Sequence, residues 1–307
     1  MPHPSEEAKF IAVLERTTLL PAVSSASGMA LVGNSVFIAG DDSPFLFRLS
    51  PKGEVRSRHL LFPEYRDLPR IPKSQKADLE SIAEGTYQGK EQLFIFGSGS
   101  KSPERDLLLW VDPAAPAVPG QFRLTSFYDR IVTESLMAKT DLNIEGAVVA
   151  EGQLYLFNRG RNNIIGTDWE AFTRYLDGDL PLQDLPLTFI DLTLPAINGI
   201  EARFSGACFL PEEAAILFTA TVEDTPNWID DGEVLGSFVG LLPLHNLTSG
   251  ATLPTSLLLD QTGNPAAEKV ESIAFRGYAG NGELLVLAAV DNDDGTSKLL
   301  ELRVKFR

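Results

Sequence analysis

Three glutamates, Glu80, Glu145 and Glu271, stand in the same short setting: an apolar residue, the glutamate, Gly or Ser, then two mostly small apolar residues. The segments are Leu79-Glu80-Ser81-Ile82-Ala83, Ile144-Glu145-Gly146-Ala147-Val148 and Val270-Glu271-Ser272-Ile273-Ala274. Two further segments, around Gly28 and Gly206, carry Ser27 and Ser205 in the glutamate's place. If the five positions converge, three carboxylates face one another. Their repulsion is relieved by taking up protons or by binding a cation. Oxygen-only donors suit a hard ion, so Glu80, Glu145 and Glu271 are the expected metal ligands, for Ca2+ or Mg2+. Ser27, Ser205 and Arg159 would then line the same ligand site. Asp41, Asp42, Glu223, Asp291 and Asp293 would add charge around it, while Arg159 and Arg161 could neutralise the glutamates directly. A hydrogen-bonded ring that only fixes the strands is the competing structural reading.

Gly97-Ser98-Gly99-Ser100-Lys101-Ser102 suggests a second kind of chemistry. Ser98 and Ser100, with backbone N–H groups and Lys101 or Arg105, could cradle a phosphate or carboxylate. The Gly-Lys-Ser/Thr ending of a P-loop is missing, and a polar turn is the plainer reading. Asp291-Asn292-Asp293-Asp294-Gly295 is out of register for a calcium loop, because Val290 falls where the first Asp is required. It reads as a turn. There are three histidines, His3, His59 and His245, none near the glutamate motif, so a Ser-His-Asp hydrolase or a histidine-ligated metal is not expected. The single cysteine, Cys208, reads as packing. Trp228 is either an aromatic platform at the site or a loop residue folded on its own sheet.

The positions after the Glu/Ser residue are 28, 81, 146, 206 and 272, giving steps of 53, 65, 60 and 66. After each motif come a turn, an apolar run and a polar cluster: Val36–Ala39, Leu93–Phe96, Leu154–Phe157, Ile216–Ala220 and Leu284–Val290 are the runs. Third runs follow at Phe45–Leu49, Leu107–Val111, Asn163–Gly166, Val234–Leu241 and Lys298–Val304. Fourth runs follow at Val55–Phe62, Gln121–Phe127, Leu187–Leu192 and Thr255–Asp260. Short runs with regular turns argue for an all-β chain, and four strands per repeat is a propeller blade. The expectation is one domain over 1–307, a five-bladed β-propeller. The fifth repeat has three strands, and Phe10–Glu15 is expected to supply its fourth and cover its edge. A six-bladed ring is the alternative. Strict alternation would place the Glu/Ser positions opposite their apolar neighbours, towards the axis. The connections 128–142 and 224–233 are the longest, and the first is expected to hold a short helix.

The net charge is −16. That disfavours nucleic acid, whose binding needs basic patches, and an anionic membrane surface. No apolar stretch is long enough for a membrane span, and the start lacks the pattern of a signal peptide. A cytoplasmic protein is expected, with a small polar molecule, a cation or another protein as partner.

The segments around Glu80, Glu145 and Glu271 resemble the apolar-Glu-Gly/Ser strands of bacterial esterase-like phytase propellers. With Gly97-Ser98-Gly99-Ser100 they are also similar to a bacterial propeller family of unknown function. The resemblance implies a propeller and calcium at the glutamates. No dense aspartate set or cluster of phosphate-binding basic residues accompanies it. Three function classes stay open: binding of a cation or small polar ligand, hydrolysis of the glycosidase or phosphoesterase type by the carboxylates, and a protein-interaction scaffold. Hydrolysis would need an acid and a base in different environments.

Overall fold

Strands of two to eleven residues alternate with turns rich in Gly, Asn and Pro, so the backbone satisfies its hydrogen bonds in short, mostly antiparallel ladders. The computed structural model describes residues 10–116, 119–225, 232–292 and 294–306. After β1 (Phe10–Leu20), four strands form the first meander: β2 (Ala26–Val32), β3 (Ser35–Gly40), β4 (Phe45–Leu49) and β5 (Val55–Leu60). The second is β6 (Leu79–Tyr87), β7 (Lys90–Gly97), β8 (Leu107–Val111) and β9 (Gly120–Arg123). Helix α1 (Thr125–Glu134) leads to the third: β10 (Ile144–Ala150), β11 (Gln153–Asn158), β12 (Asn163–Asp168) and β13 (Thr188–Asp191), with α2 (Trp169–Leu176) between its last two strands. A two-stranded ribbon, β14 (Ala196–Ile197) and β15 (Ile200–Glu201), precedes β16 (Arg203–Leu210), β17 (Ala215–Asp224), β18 (Glu233–Pro243) and β19 (Thr255–Leu259). The last strands are β20 (Val270–Tyr278), β21 (Leu284–Asp291) and β22 (Ser297–Phe306).

β1 joins the two ends of the chain's sheet order. It runs antiparallel to β22, from Phe10 opposite Phe306 to Leu20 opposite Ser297. It also lies parallel to β19 at Ala12–Leu258 and Val13–Leu259. The result is one eight-stranded sheet, β16-β17-β18-β19-β1-β22-β21-β20. The expected N-terminal strand is present and longer than Phe10–Glu15. The first strands of the meanders pack in a cycle, β2 on β6, β6 on β10, β10 on β16, β16 on β20, and β20 back on β2. They therefore surround an axis, in an all-β, propeller-like arrangement.

Each first strand carries a bulge at the same place. The ladder register slips between Ala26 and Gly28, Leu79 and Ser81, Ile144 and Gly146, Phe204 and Gly206, and Val270 and Ser272. The skipped residue is in turn Ser27, Glu80, Glu145, Ser205 and Glu271. A bulge leaves one residue outside the ladder and re-aims its side chain. It also moves the next apolar residue of the same face from two positions away to three. Ala26 and Met29 share one core cluster, as do Leu79 and Ile82, Ile144 and Ala147, Phe204 and Ala207, and Val270 and Ile273. Plain alternation, expected from the sequence, is replaced by this device.

The small residue after the bulge is required by crowding at the axis. A Cβ on Gly206 would lie 2.6 Å from the Ser272 Cα, and one on Gly28 would lie 3.0 Å from the Ser81 backbone. The core includes edge-to-face rings: Phe157–Phe204 between two sheets and Phe204–Phe218 within one, with centroids 5.1 and 5.3 Å apart.

Two elements differ from expectation. The strand expected over Gln121–Phe127 ends at Arg123, because α1 begins at Thr125 and buries Phe127, Tyr128 and Ile131. Helix α2 was not expected. Its N-cap is Asp168, whose side chain accepts from the Ala171 N–H at 2.8 Å, and Trp169, Phe172 and Leu176 form its buried face. Trp228 and the centre of the 224–233 connection lie outside the described residues, as do His3 and Asp293.

Candidate functional site at the carboxylate-lined mouth

Because first strands begin and second strands end on one face of the ring, the bulged residues and the polar clusters meet there. The carboxylates divide into two groups. The first is built where β3 ends and β6 begins. Asp78 is 4% exposed, and four groups hold it: Lys76 Nζ at 2.7 Å, Arg105 Nη1 at 2.7 Å, Ser98 Oγ at 2.5 Å and Ser100 Oγ at 3.3 Å. The Gly97–Ser102 loop thus does cradle an anion, but the anion is the chain's own Asp78. Lys101 lies outside this cradle, reaching the Ser74 carbonyl and Glu104.

Lys76 also bonds Asp41 through Oδ2, while Asp41 Oδ1 is buried with no hydrogen-bond partner. Glu80 completes the group. One oxygen of each of Asp41, Asp78 and Glu80 lies within 4.8 Å of the others, so this set could hold a metal ion. Glu80 is the shared member of this set and the expected one; Glu145 and Glu271 are not in it. No hydrogen bond from a described residue reaches the Glu80 carboxylate. Burial, reinforced by Glu145, Asp78 and Asp41, pushes its pKa well above the usual carboxylate range. Asp78 moves the other way. Burial opposes its ionisation, but Lys76, Arg105 and the Ser98 hydroxyl outweigh burial and hold its pKa low. When all three carboxylates are ionised, Lys76 and Arg105 balance two of them, and the third charge is met by a proton on Glu80 or by a cation.

The second group lies on β10, β11, β17 and β20. Arg159 Nη2 donates to Glu223 Oε1 at 2.6 Å, Asn143 Nδ2 donates to Glu145 Oε1 at 2.7 Å, and Lys269 Nζ lies 3.2 Å from Glu271. Arg159 therefore pairs directly with Glu223 rather than with a ring glutamate, and acts on Glu145 and Glu271 only through its charge. Arg161 takes no part, since it pairs with Asp191 at 3.2 Å on the rim. Burial pushes Glu145 up to about 8, with Arg159 opposing and Glu271 adding to the shift. Burial also raises Glu271, against Lys269 and Arg159.

The serine positions are satisfied locally. Ser27 Oγ donates to the Ser25 carbonyl, and Ser205 Oγ exchanges hydrogen bonds with Thr219 and Thr221. Asp42 is held by Arg70 at 2.6 Å. Asp291 ends β21 on the same face. Below the mouth the axis narrows to a cavity of about 10 Å³, between Glu80, Glu145 and the small residues Ser81, Gly146, Gly206 and Ser272. That is room for about one water. Cys208 lies beyond this neck, its thiol pushed up to about 12 by burial. His59 contacts Ser57 on β5, and His245 is exposed.

A raised carboxyl pKa has a testable sign. The folded protein holds the Glu145 proton more tightly than the unfolded chain does. That contribution is full below the unfolded value of 4.5 and is lost as pH rises through about 8. Glu145→Gln removes the charge but keeps an oxygen for Asn143. In metal-free buffer it should raise Tm at pH 9 by roughly 2–6 °C, from about 1–3 kcal/mol, and change little at pH 5. Melting curves across pH read this directly. A variant less stable than wild type at pH 9 would show that the Arg159 attraction outweighs burial.

The fold and site together define an all-β propeller with a narrow neck and a carboxylate-rich mouth. The chain belongs to the family of unknown function DUF6929, which it matches over residues 22–304. No curated protein matches it significantly. Among solved structures it is similar to the glutaminyl cyclase of Myxococcus xanthus, at 12% identity and TM-score 0.51, over 98% of this chain and 100% of that one. It is also similar to a point mutant of the Cellvibrio cellulosa alpha-L-arabinanase, at 12% identity and TM-score 0.43, over 90% of each chain. A third is the WD40 beta propeller domain of Doa1, at 11% identity and TM-score 0.38, over 95% of this chain and 97% of that one. At 12% identity, the likeness to the glutaminyl cyclase concerns the fold alone. No helix among the described residues is long and apolar enough to cross a membrane.

Proposed function

We propose that the chain is a single-domain, five-bladed β-propeller that binds a divalent cation of the calcium class at the Asp41–Asp78–Glu80 corner of its mouth. The cycle of first strands and the β1–β22 pairing support the blade count. The observation that carries the cation is a carboxylate cluster with acceptors to spare: one oxygen of each of Asp41, Asp78 and Glu80 lies within 4.8 Å of the others, Asp41 Oδ1 is buried without a partner, and Glu80 receives no hydrogen bond from a described residue. Asp41 Oδ2 and Asp78 are already committed to Lys76 and Arg105. A hard cation bridging Asp41 and Glu80 would meet the third negative charge, and its open positions would take water or the oxygens of a small polar molecule. Glu145, Glu271, Arg159, Ser27, Ser205, Ser98 and Ser100 then wall the site and hold its charges in place. Localisation in the cytoplasm is part of this proposal.

Calcium added to EDTA-treated protein should raise Tm by about 3–6 °C at a hundredfold excess over Kd. The shift should vanish in Glu80→Gln. Wild-type protein whose melting is indifferent to calcium, magnesium and EDTA defeats the cation reading.

One observation favours a second reading, hydrolysis. Glu80 and Glu145 stand in unlike surroundings, Glu145 beside Arg159 and Asn143 and Glu80 with neither. Carboxyls in unlike surroundings are what an acid and a base require. Turnover of aryl glycosides or aryl phosphates that disappears in both Glu80→Gln and Glu145→Gln would support it.

A further inference from the structure

A second concavity lies where the first sheet meets the β21–β22 turn, outside the mouth. It encloses about 620 Å³, within the range of small-molecule sites. Its wall comes from the β1–β2 connection, β4, β5, the connection after β5, and the β21–β22 turn. In a chain of net charge −16, three arginines converge on it: Arg58, Arg66 and Arg70. The Arg58 guanidinium lies over the Phe45 ring, 4.5 Å from its centroid. This cation–π contact holds the guanidinium beside the groove. No carboxylate among the described residues pairs with Arg58 or Arg66. Arg66 uses Nε on the Pro63 carbonyl at 3.2 Å. Arg70 gives Nε to Asp42 at 2.6 Å, which anchors it and leaves its terminal nitrogens over the groove. The apolar part of the wall is Phe45 with Leu68, which is 41% exposed, and Pro69.

Two acids also line the groove. Asp294 is turned onto its own loop, accepting from the Thr296 N–H at 2.8 Å and its hydroxyl at 2.6 Å. Asp67 is exposed on the rim. Neither acid forms an ion pair with Arg58 or Arg66. We infer that this groove binds a small molecule carrying a phosphate or carboxylate on a flat apolar body, the anion on Arg58 and Arg66 and the body against Phe45 and Leu68. Arginine forks match both anions in two-point contacts, which is why the shared chemistry of the two is named. The inference is independent of the cation site. Asp42 and Asp41 nevertheless make the two sites neighbours, since Asp42 anchors Arg70 and Asp41 faces Glu80.

Phenyl phosphate and benzoate are the probes, titrated by calorimetry at fixed ionic strength, with inorganic phosphate and phenol as the separated halves. At least one of the two aromatic anions should bind one-to-one, with both halves at least tenfold weaker. The double variant Arg58→Gln/Arg66→Gln changes exposed side chains, so its melting should match wild type while affinity falls at least tenfold. Phe45→Leu should weaken the aromatic anion by a larger factor than inorganic phosphate, because it removes the wall for the ring as well as the contact that holds Arg58. Failure of both aromatic anions to bind wild type saturably, or equal affinity in the double variant, overturns the inference.

Discussion

Asp78→Ala should cost about 3–5 kcal/mol and lower Tm by roughly 6–15 °C, because it strands buried positive charge. Asp78 is the acceptor on which Lys76, Arg105, Ser98 and Ser100 converge. Lys76 would retain Asp41, but Arg105 would retain only the Ser100 hydroxyl, at 2.8 Å. The backbone adds to the loss. Asp78 has φ +55°, in the left-handed region that Asp and Asn tolerate better than Ala. Asp78→Asn keeps that tolerance and an acceptor oxygen, so it should lose about half as much. Its pH dependence has the opposite sign to that of Glu145. A carboxyl held below its unfolded value of 3.8 contributes stability above that pH and loses it as pH falls through the folded pKa. The Asp78→Asn deficit should therefore be constant from pH 9 to about 5 and shrink under stronger acid. Urea melts of both variants measure this. An Ala variant within about 2 °C of wild type would mean that the cradle is not a structural anchor.

The same residue shows what the sequence made visible and what it hid. The repeated segments located every first strand because each needs the same things: apolar residues for both neighbouring sheets and a small residue where backbones crowd, as at Gly206 against Ser272. The glutamates stood out because a carboxylate in that setting is chemically expensive. Asp78 did not, although it begins one of those segments, because a polar residue before a strand is ordinary. Lys76 lies in the connection before β6, outside any repeat, so nothing marked it as the counter-ion of Asp41 and Asp78. The bulge was written in the spacing. Leu79 and Ile82 are three apart, as are Val270 and Ile273, and two apolar residues three apart cannot share a face of a regular strand. A strict period of two conceals this. Helix α2 is legible too, from Asp168 as cap and the apolar residues 169, 172 and 176. The strands on either side of it resemble a simple hairpin, which masks the helical spacing. The Arg58–Phe45 groove brings together a diagonal contact between β4 and β5 and a long connection, so no local pattern could announce it.

Deleting β1 should have the largest effect of all, a loss above about 5 kcal/mol that leaves no stable folded monomer. Phe10 and Ala12 are 1% and 0% exposed, and Leu20 is 2% exposed, so the strand is part of the core. Its removal would bare β22 along ten residues and β19 beside it, two adjacent unpaired edges of the kind that recruit other chains. The Ala12 N–H would also leave Ser256 Oγ, 3.1 Å away, without its donor. The outcome expected is aggregation on expression, read by gel filtration of the soluble fraction. A circular permutant separates loss of the strand from loss of its connection. It begins at Ala22, in the exposed turn after β1, and joins residue 306 to residue 10 through a short Gly-Ser linker. Phe10 and Phe306 are register partners with ring centroids 6.1 Å apart, so the new junction is a hairpin turn. The permutant should stay monomeric with a Tm within a few degrees of wild type, because every ladder hydrogen bond of β1 persists while its link to β2 is cut. If the permutant instead aggregates like the deletion, closure depends on the covalent connection from β1 to β2. If the deletion alone stays folded, β1 is a covering strand and the ring closes without it.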